Sequence, residues 1–404
     1  MTHVYYEGVF KVLQMNPKKM LWMKIIAIDM LFLCFSINVS IVGQMFEPIK
    51  GAYTLDFTQG GALLSCQSIG GLLLAGLSII FIDALNKTKV LVIAGLTLCA
   101  CLILIGATPP LVVLFIIFTI LGFSGGVINN LSNSVMVETV TEKSERYLNF
   151  MHMLFSLGSV VTPVLSQAIY PICGLNGVFF IFGGFAFLWA VYAAFAFNEK
   201  MKRKLVQRRL SFREQCRSAI GVFKISGMKP VFVISIMISA WQLTAVYYIS
   251  SYFTGISGDA MNGAAALSVL FLGMMVSRLC YSKFADRFSK GRVLTITNAF
   301  GFFAWLAVFI VPGITAKIVM IGLTALICGN NFPITFSSAC RIAPENTATA
   351  SSIVILGYYI AVLLFVPVIG YLGDVINLGN ALLFCALPLI AIIPTGFVLH
   401  KRIR

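Results

Sequence analysis

Charged side chains are scarce in this sequence. Only 11% of its 404 residues are Asp, Glu, Lys or Arg, while 59% are hydrophobic. A water-soluble globule of this length needs more charge on its surface, so the composition excludes one. The hydrophobic residues form runs of about 20 or more, each long enough to cross a bilayer as a helix. The sequence therefore predicts an integral membrane protein that has the lipid bilayer as a partner.

Residues suited to catalysis and metal binding are also scarce. Of three histidines, His3 and His400 belong to the tails, and we find no nucleophile–base set and no phosphate-binding loop. There are ten cysteines, but all except Cys173 and Cys216 lie within or at the ends of apolar segments, and no CxxC occurs. Cysteine behaves there as a small hydrophobic residue. We expect no enzymatic activity, no disulfide, no metal site and no cofactor.

Basic residues are unevenly distributed along the chain. Ten of them lie between Asn198 and Pro230, against two acids, and this segment separates two hydrophobic halves. Once the spans are placed, only Lys50 and Lys317 fall on the far side, so 29 − 2 = 27 basic residues share one side. Positive loops stay in the cytoplasm. This distribution explains the net charge of +15 without a nucleic-acid ligand and predicts cytoplasmic termini.

Six hydrophobic spans precede the basic segment and six follow it. Because the runs lack the alternating polarity of a membrane barrel, all of them should be helices. We expect an all-α integral membrane fold of 12 transmembrane helices in two pseudo-symmetric six-helix bundles, at 1–197 and 231–404, joined by a basic cytoplasmic loop at 198–230. The expected spans are 20–46, 58–82, 89–108, 111–137, 147–170, 177–197, 231–254, 263–282, 293–312, 316–339, 349–372 and 379–399.

An internal repeat relates the two halves. Three landmarks recur at a similar offset: Asp83 and Asp286 (286 − 83 = 203), Asn129-Asn130 and Asn330-Asn331 (330 − 129 = 201), and Pro163 and Pro367 (367 − 163 = 204). A shared offset indicates parallel copies of one unit. In carriers built from such copies the substrate binds between the halves near the middle of the membrane, and rocking about that site gives alternating access.

A charged signature follows the eighth span, Ser282-Lys-Phe-Ala-Asp286-Arg287-Phe-Ser-Lys290-Gly291-Arg292. With the two six-span halves and the basic middle loop, it resembles the major facilitator superfamily over nearly the whole chain. In that superfamily the loop has the pattern G-x-x-x-D-R-x-G-R-R. A carboxylate at such a helix end can pair with a neighbouring arginine and hold one side of the carrier closed. The resemblance implies gating residues Asp83, Asp286, Arg287 and Arg292; a charge cluster that only fixes topology is the alternative.

Asparagines mark the fourth and tenth spans. A polar group at membrane depth costs free energy unless it faces a cavity or a partner. Asn129 and Asn133 lie one turn apart on one helical face, and Asn130 lies beside them. Their amides donate and accept hydrogen bonds, which suits hydroxyl groups. We expect a substrate to contact these three and also Asn330 and Asn331; hydrogen bonding between helices is the alternative.

The fifth span opens with Arg146-Tyr-Leu-Asn149-Phe-Met-His152. This pattern resembles the fucose:proton symporter family of sugar permeases, as does 331–337 in the tenth span. In that family polar residues of the fifth helix line the sugar site, so the resemblance implies Asn149 and His152 as ligands. Sugar rings also stack on aromatic faces beside amides, although simple packing is the commoner role of aromatics in spans. The further expected ligands are Asn38, Trp241, Gln242 and Tyr358.

Proton coupling in the sugar permeases uses carboxylates in the first and fourth helices. Here the fourth span has only asparagines, and the sole acid of the first span is Asp29, roughly 13 Å from its start. Asp29 is either a proton carrier or the partner of a base such as Lys24 or Arg146. His152 can titrate near neutral pH and couple instead, or act as a neutral ligand. If neither titrates in function, the protein is a facilitator.

The substrate class follows from the charges that the spans lack. Arg278 and Arg341 lie near helix ends and can extend towards the membrane surface, which argues against a dedicated phosphate or dicarboxylate carrier. We expect a monomeric plasma-membrane carrier, as in a bacterial inner membrane, that imports a small neutral solute, a sugar or similar polyol, with protons. An exporter of drugs or metabolites is the alternative, and a receptor or scaffold without transport is a third class.

Overall fold

The structure is a computed structural model that describes residues 17–81, 86–140, 144–197, 217, 220–282 and 288–402. Ten helices in these ranges are long and apolar enough to cross a membrane. The helix Phe57–Phe81, 25 residues long, adds another. Ser144–Ala196 contains two spans, because Gly174 breaks it with φ 65° and ψ −173°. The chain thus has the predicted all-helical architecture of twelve spans.

The spanning helices are numbered in chain order. The first half contains α1 (Pro17–Gln44), α2 (Phe57–Phe81), α3 (Lys87–Gly106), α4 (Leu111–Thr139), α5 (144–173) and α6 (175–196). The second half contains α7 (Met228–Ser257), α8 (Ala260–Ser282), α9 (Lys290–Ile310), α10 in two segments (Ile314–Cys328 and Asn331–Ile342), α11 (Thr347–Ile376) and α12 in two segments (Leu378–Leu383 and Ala386–Arg402). The predicted spans lie within a few residues of these bounds, but the interruptions of α10 and α12 were not predicted.

We call the end of the body where α6 ends and α7 begins the connector end, and the other the distal end. At the connector end Lys87 Nζ of α3 donates to Ser134 Oγ of α4 over 3.1 Å. In the second half Lys290 Nζ of α9 donates to Ser337 Oγ of α10 over 2.6 Å. The offsets are equal, 290 − 87 = 203 and 337 − 134 = 203. These bonds are copies of one another and tie the third helix of each half to the fourth.

Close helix crossings repeat with the same offset. A Cβ on Gly70 of α2 would collide with the backbone of α4, and a Cβ on Gly273 of α8 would collide with the backbone of α10. The backbone partners are Thr119 and Phe123 in the first half and Gly322 and Leu326 in the second. Again 273 − 70, 322 − 119 and 326 − 123 all equal 203. Glycine is therefore needed at both crossings to let two backbones touch.

The repeat corrects one sequence match. In α4 and α10 the offset is 203 both before and after the asparagines, at 123/326 and 134/337. Asn330 and Asn331 therefore correspond to Val127 and Ile128, not to Asn129 and Asn130. The expected symmetry between the two asparagine pairs is wrong, because their offset of 201 differs from that of the surrounding contacts by two residues, more than half a helical turn.

Helices α2 and α11 join the halves at the distal end. The carboxylate of Asp374, on α11, accepts hydrogen bonds from the backbone N–H of Phe57 and of Thr58 over 2.9 and 2.7 Å. The Thr58 hydroxyl donates to it over 2.6 Å. The acid of one half thus caps the first turn of a helix in the other, where the helix dipole favours negative charge.

The hydrogen bonds between the halves are confined to one part of the interface. Within the described ranges they join Asp374 to Phe57 and Thr58, Ser250 to Gln44, Ser65 to Val362, and Tyr247 to Gln67. All lie in the distal part of the body or near its middle. These bonds hold the halves together distally, and we infer a gap between them towards the connector end, where no hydrogen bond given for the described residues crosses the interface.

Candidate functional site

A cluster of polar and aromatic side chains lies where the halves meet near the middle of the body. Tyr247 of α7 donates its hydroxyl to Gln67 Oε1 of α2 over 3.0 Å. Gln67 Nε2 is buried and has no hydrogen-bond partner in the described part of the chain. On α11 the rings of Tyr358 and Tyr359 lie 5.2 Å apart, and Tyr359 lies against Gly71 of α2. We call Gln67, Tyr247, Tyr358 and Tyr359 the central cluster; it offers an unused amide donor beside aromatic rings.

His152 of α5 lies on the connector side of this cluster. Asn133 Nδ2 of α4 donates to the Asn129 carbonyl over 2.6 Å, which places Asn133 Oδ1 against His152 Nε2 at 3.1 Å. Because Oδ1 only accepts, Nε2 must carry a proton. The ring meets Phe32 of α1 edge-on at 5.1 Å. His152 nevertheless remains exposed, so it faces the gap that opens between the halves.

Phenylalanines form the wall beside His152. The ring of Phe155 lies 5.4 Å from Phe32 and 5.6 Å from Phe35. In the second half Phe332 lies 5.9 Å from Tyr358. Flat apolar rings of this kind stack on sugar rings and bases, and they also accept the apolar part of an amphiphile. The wall adds contact area but does not by itself choose between such solutes.

Arg278 of α8 is a site residue that the sequence analysis missed. Leu267, on the same helix, packs against Gly43 of α1 in the other half. Arg278 follows Leu267 by 278 − 267 = 11 residues, about three turns, so it shares the face directed at the first half. Its guanidinium acts electrostatically on His152. Its Nε is buried and without a hydrogen-bond partner among the described residues. At least the Nε of this guanidinium is therefore covered by protein, and the eleven-residue spacing was the signal that could have placed Arg278 on this face.

Asp29 is buried between helices and does not line the gap. Its side chain is 3% exposed, and Oδ1 has no hydrogen-bond partner in the described ranges. It shares a face of α1 with Leu33 and Ser36, both of which meet Gly158 of α5. Among the described residues it forms no ion pair, so neither Lys24 nor Arg146 pairs with it in this conformation.

Several other predicted ligands are used in packing. Trp241 is buried, with its ring 5.8 Å from Trp305 of α9. Asn38 is buried beside Gly125 of α4. In α10 Asn330 Nδ2 donates to the backbone and hydroxyl oxygens of Ser277 of α8, and Asn331 Nδ2 donates to Asn298 Oδ1 of α9 over 3.0 Å. These bonds favour a helix-bridging role for Asn330 and Asn331. Of the others, Asn149 is exposed, and Asn129, Asn130 and Gln242 are half-buried.

The predicted gate lies mostly outside the described residues, which do not include Asp83, Asp286 and Arg287. Arg292 is exposed and its Nε donates to His400 Nε2 of α12 over 2.9 Å, within its own half. Asp374 at the distal end, by contrast, was not predicted as a gate. Only its contact with a helix 316 residues away in sequence reveals the role.

A second polar contact closes the distal side. Gln44 of α1 donates Nε2 to Gln167 Oε1 of α5 over 3.1 Å and accepts from Ser250 Oγ of α7 over 2.8 Å. These side chains line a distal cleft of ≈ 480 Å³ that residues of both halves enclose. The amide of Gln44 thus links both halves at the floor of this cleft.

Comparisons with known proteins place the chain in a family. The family model described as Major Facilitator Superfamily matches residues 28–354. A bacterial homologue of the human lysosomal transporter Spinster, in an inward-facing and unoccupied conformation, superposes with a TM-score of 0.79 at 12% identity, over 96% of this chain and 98% of that one. The nucleoside transporter NupG superposes with a TM-score of 0.73 at 15% identity, over 96% and 100%. At such identities the likeness shows the shared fold. No curated protein sequence matches the chain.

Proposed function

Because the chain belongs to the Major Facilitator Superfamily, we propose that it is a secondary transporter that moves a small polar solute by alternating access of its two halves. One observation carries this proposal. The central cluster and His152 lie between the distal contacts that join the halves and the gap at the connector end. A solute that enters this gap meets hydrogen-bonding groups from both halves, which is where a duplicated carrier binds its substrate.

The side chains of the site favour a hydroxylated, ring-bearing solute such as a sugar, a sugar-like polyol or a nucleoside. Gln67 Nε2 and the Asn133–His152 pair supply donors and acceptors for hydroxyl groups. Phe35, Phe155 and Tyr358 supply faces for a ring. The structural neighbour NupG is a nucleoside transporter, which is a reason to include nucleosides among the solutes tested.

The same proposal covers coupling, direction and location. Asp29, a buried carboxyl group without an ion pair in the described ranges, and His152, which borders the gap, are the candidate proton carriers. The distribution of basic residues favours a cytoplasmic connector end. The protein would then act as a monomer in the plasma membrane, import its substrate with protons, and use Asp286 and Arg287 as a gate at the connector end.

An exporter of amphiphilic compounds is the second candidate. Phe35 and Phe155 give the gap an apolar wall, and such a wall suits the apolar part of a drug or lipid-like metabolite. Energised efflux of dyes from proteoliposomes, without exchange of sugars or nucleosides, would support this candidate over the first.

Counterflow in proteoliposomes tests the transport proposal. Preloaded vesicles are given labelled sugars and nucleosides, and saturable exchange of at least one is expected. Asn133→Ala and His152→Ala should abolish this exchange, because each removes a group that borders the gap, while thermal unfolding stays close to that of the unmodified protein. Asn346→Ala, an exposed asparagine outside the spans, is the matched control and should exchange normally. Unchanged exchange in both site variants would remove Asn133 and His152 from the site, and tight binding without any exchange would indicate a receptor.

A further inference from the structure

Arg278 brings a cation to the interface of the halves, and no ion pair joins it to an acid among the described residues. It lies one turn inside the connector end of α8, on the face directed at the first half. Its Nε is enclosed by protein and unbonded in the described part of the chain. Covering part of a guanidinium without a partner costs free energy, and ionisable groups kept within spans are commonly functional.

No acid in the described ranges balances this charge. Asp29 lies between α1 and α5 and forms no ion pair with Arg278. The other acids whose side chains the structure describes lie at helix ends or in loops: Glu47, Asp56, Asp259 and Asp374 at the distal end, and Glu138 and Glu345 at the connector end. His152 is close enough to Arg278 for the two to interact electrostatically, but an imidazole is neutral or positive and cannot neutralise a cation.

Arg278 and His152 both have hydrogen-bonding groups that could bind an acidic group of a solute. His152 uses Nε2 for Asn133, and its Nδ1 has no hydrogen-bond partner among the described residues. A guanidinium offers five N–H donors in a planar fork, which matches the two oxygens of a carboxylate or of a phosphate. The aromatic wall and the central cluster lie deeper along the same gap and can hold the rest of a solute.

We propose that Arg278 binds the acidic group of the transported solute, and that the substrate is an organic anion with a carboxylate or phosphate on a hydroxylated or ring-bearing body. This inference rests on the transport function proposed above and replaces the neutral substrate expected from the sequence. His152 acts beside Arg278 as a second polar contact for the acidic group.

Binding to the purified full-length protein tests the inference. Isothermal titration compares glucuronate, glucose 6-phosphate and uridine 5′-monophosphate with their neutral parents, glucose and uridine. At least one acid should bind tighter than its parent, and Arg278→Gln should weaken that binding by about 10- to 100-fold while leaving the parent's affinity unchanged. The carboxylate and phosphate arms show which group is preferred. Arg341→Gln, an exposed arginine at the same end, is the matched control and should keep the preference for the acid.

Two results would overturn the inference: neutral parents that bind as tightly as every acid, or an Arg278→Gln variant that retains the preference. Arg278→Lys keeps the positive charge but loses the planar guanidinium, so an intermediate affinity for the acid is expected. If Arg278→Gln does not fold, this variant tests whether Arg278 binds the acidic group. Saturable counterflow of a neutral solute that no acid inhibits would leave transport standing and refute the anion site. Acid binding lost in Arg278→Gln, with no exchange of any solute, would instead refute transport.

Discussion

The two halves agree where helices pack and differ in the side chains of the proposed site. Lys87 and Lys290 make the same bond to a serine of the next helix, 203 residues apart. At the same offset, the position of Arg278 corresponds to Ala75 in the first half, and the position of Asn133 corresponds to Phe336 in the second. The duplication has thus kept the contacts that shape the bundle, while the side chains at the gap have diverged.

The two halves contribute different chemical groups to the proposed site. The first half contributes an amide and an imidazole, and the second contributes a guanidinium and tyrosine rings. The position of His152 likewise corresponds to Leu356, at the offset of 204 that relates Pro163 to Pro367. A solute held between surfaces of unlike chemistry binds in one orientation, although the scaffold around it is close to symmetric.

The largest effect is expected from disrupting the close helix crossings that both halves contain. Gly70→Ala and Gly273→Ala each insert a Cβ into the backbone of a neighbouring helix, so each should lower stability by about 1–3 kcal/mol, by similar amounts. Thermal unfolding in detergent measures the loss. Gly184→Ala, where an added Cβ meets nothing within 4 Å, should unfold like the unmodified protein. A loss confined to one half would show that the two crossings are not equivalent.

The next prediction concerns Asp29, a carboxyl group that only the first half carries, since Phe232 lies 203 residues further on. If Asp29 carries the coupled proton, Asp29→Asn should abolish accumulation and spare exchange, because the amide binds no proton in this pH range. An imposed gradient of one pH unit supports about tenfold accumulation per proton, and uptake into proteoliposomes measures it. Asp56→Asn at the distal end is the control. Persisting accumulation in Asp29→Asn would assign coupling elsewhere.

A smaller effect is expected at the contact between the halves. Asp374→Asn removes a charged acceptor shared by Phe57 and Thr58, so the distal closure should weaken by about 1–2 kcal/mol, a shift of about 5- to 30-fold towards the distally open state. Hydrogen–deuterium exchange at the start of α2 should rise accordingly. Asp259→Asn, whose carboxylate bonds within its own half, should leave this exchange unchanged. Equal exchange in both variants would mean that Asp374 does not hold the distal side closed.

Hydropathy was sufficient to place the helices and insufficient to orient them. The fourth span was predicted at 111–137 and is Leu111–Thr139. The interruption of α10 at Gly329 and Asn330 was not predicted, because both residues lie within an otherwise apolar run; in the structure both lie against Ser277 of α8. The direction of Arg278 was missed for a related reason. A helix end beside a membrane surface and a helix end beside a gap have the same sequence signature, and only the partner helix distinguishes them.

The sequence by itself determined that this is a membrane protein of twelve helices in two related halves, because the energetics of burying apolar and charged groups in a bilayer leave few alternatives for such a chain. Tertiary structure alone decided which polar side chains border the gap, which are used to join helices, and which end of the body is closed. Those outcomes depend on contacts between residues far apart in the chain, such as Asp374 with Thr58 and Tyr247 with Gln67, and no local pattern specifies the rotation of one helix against another.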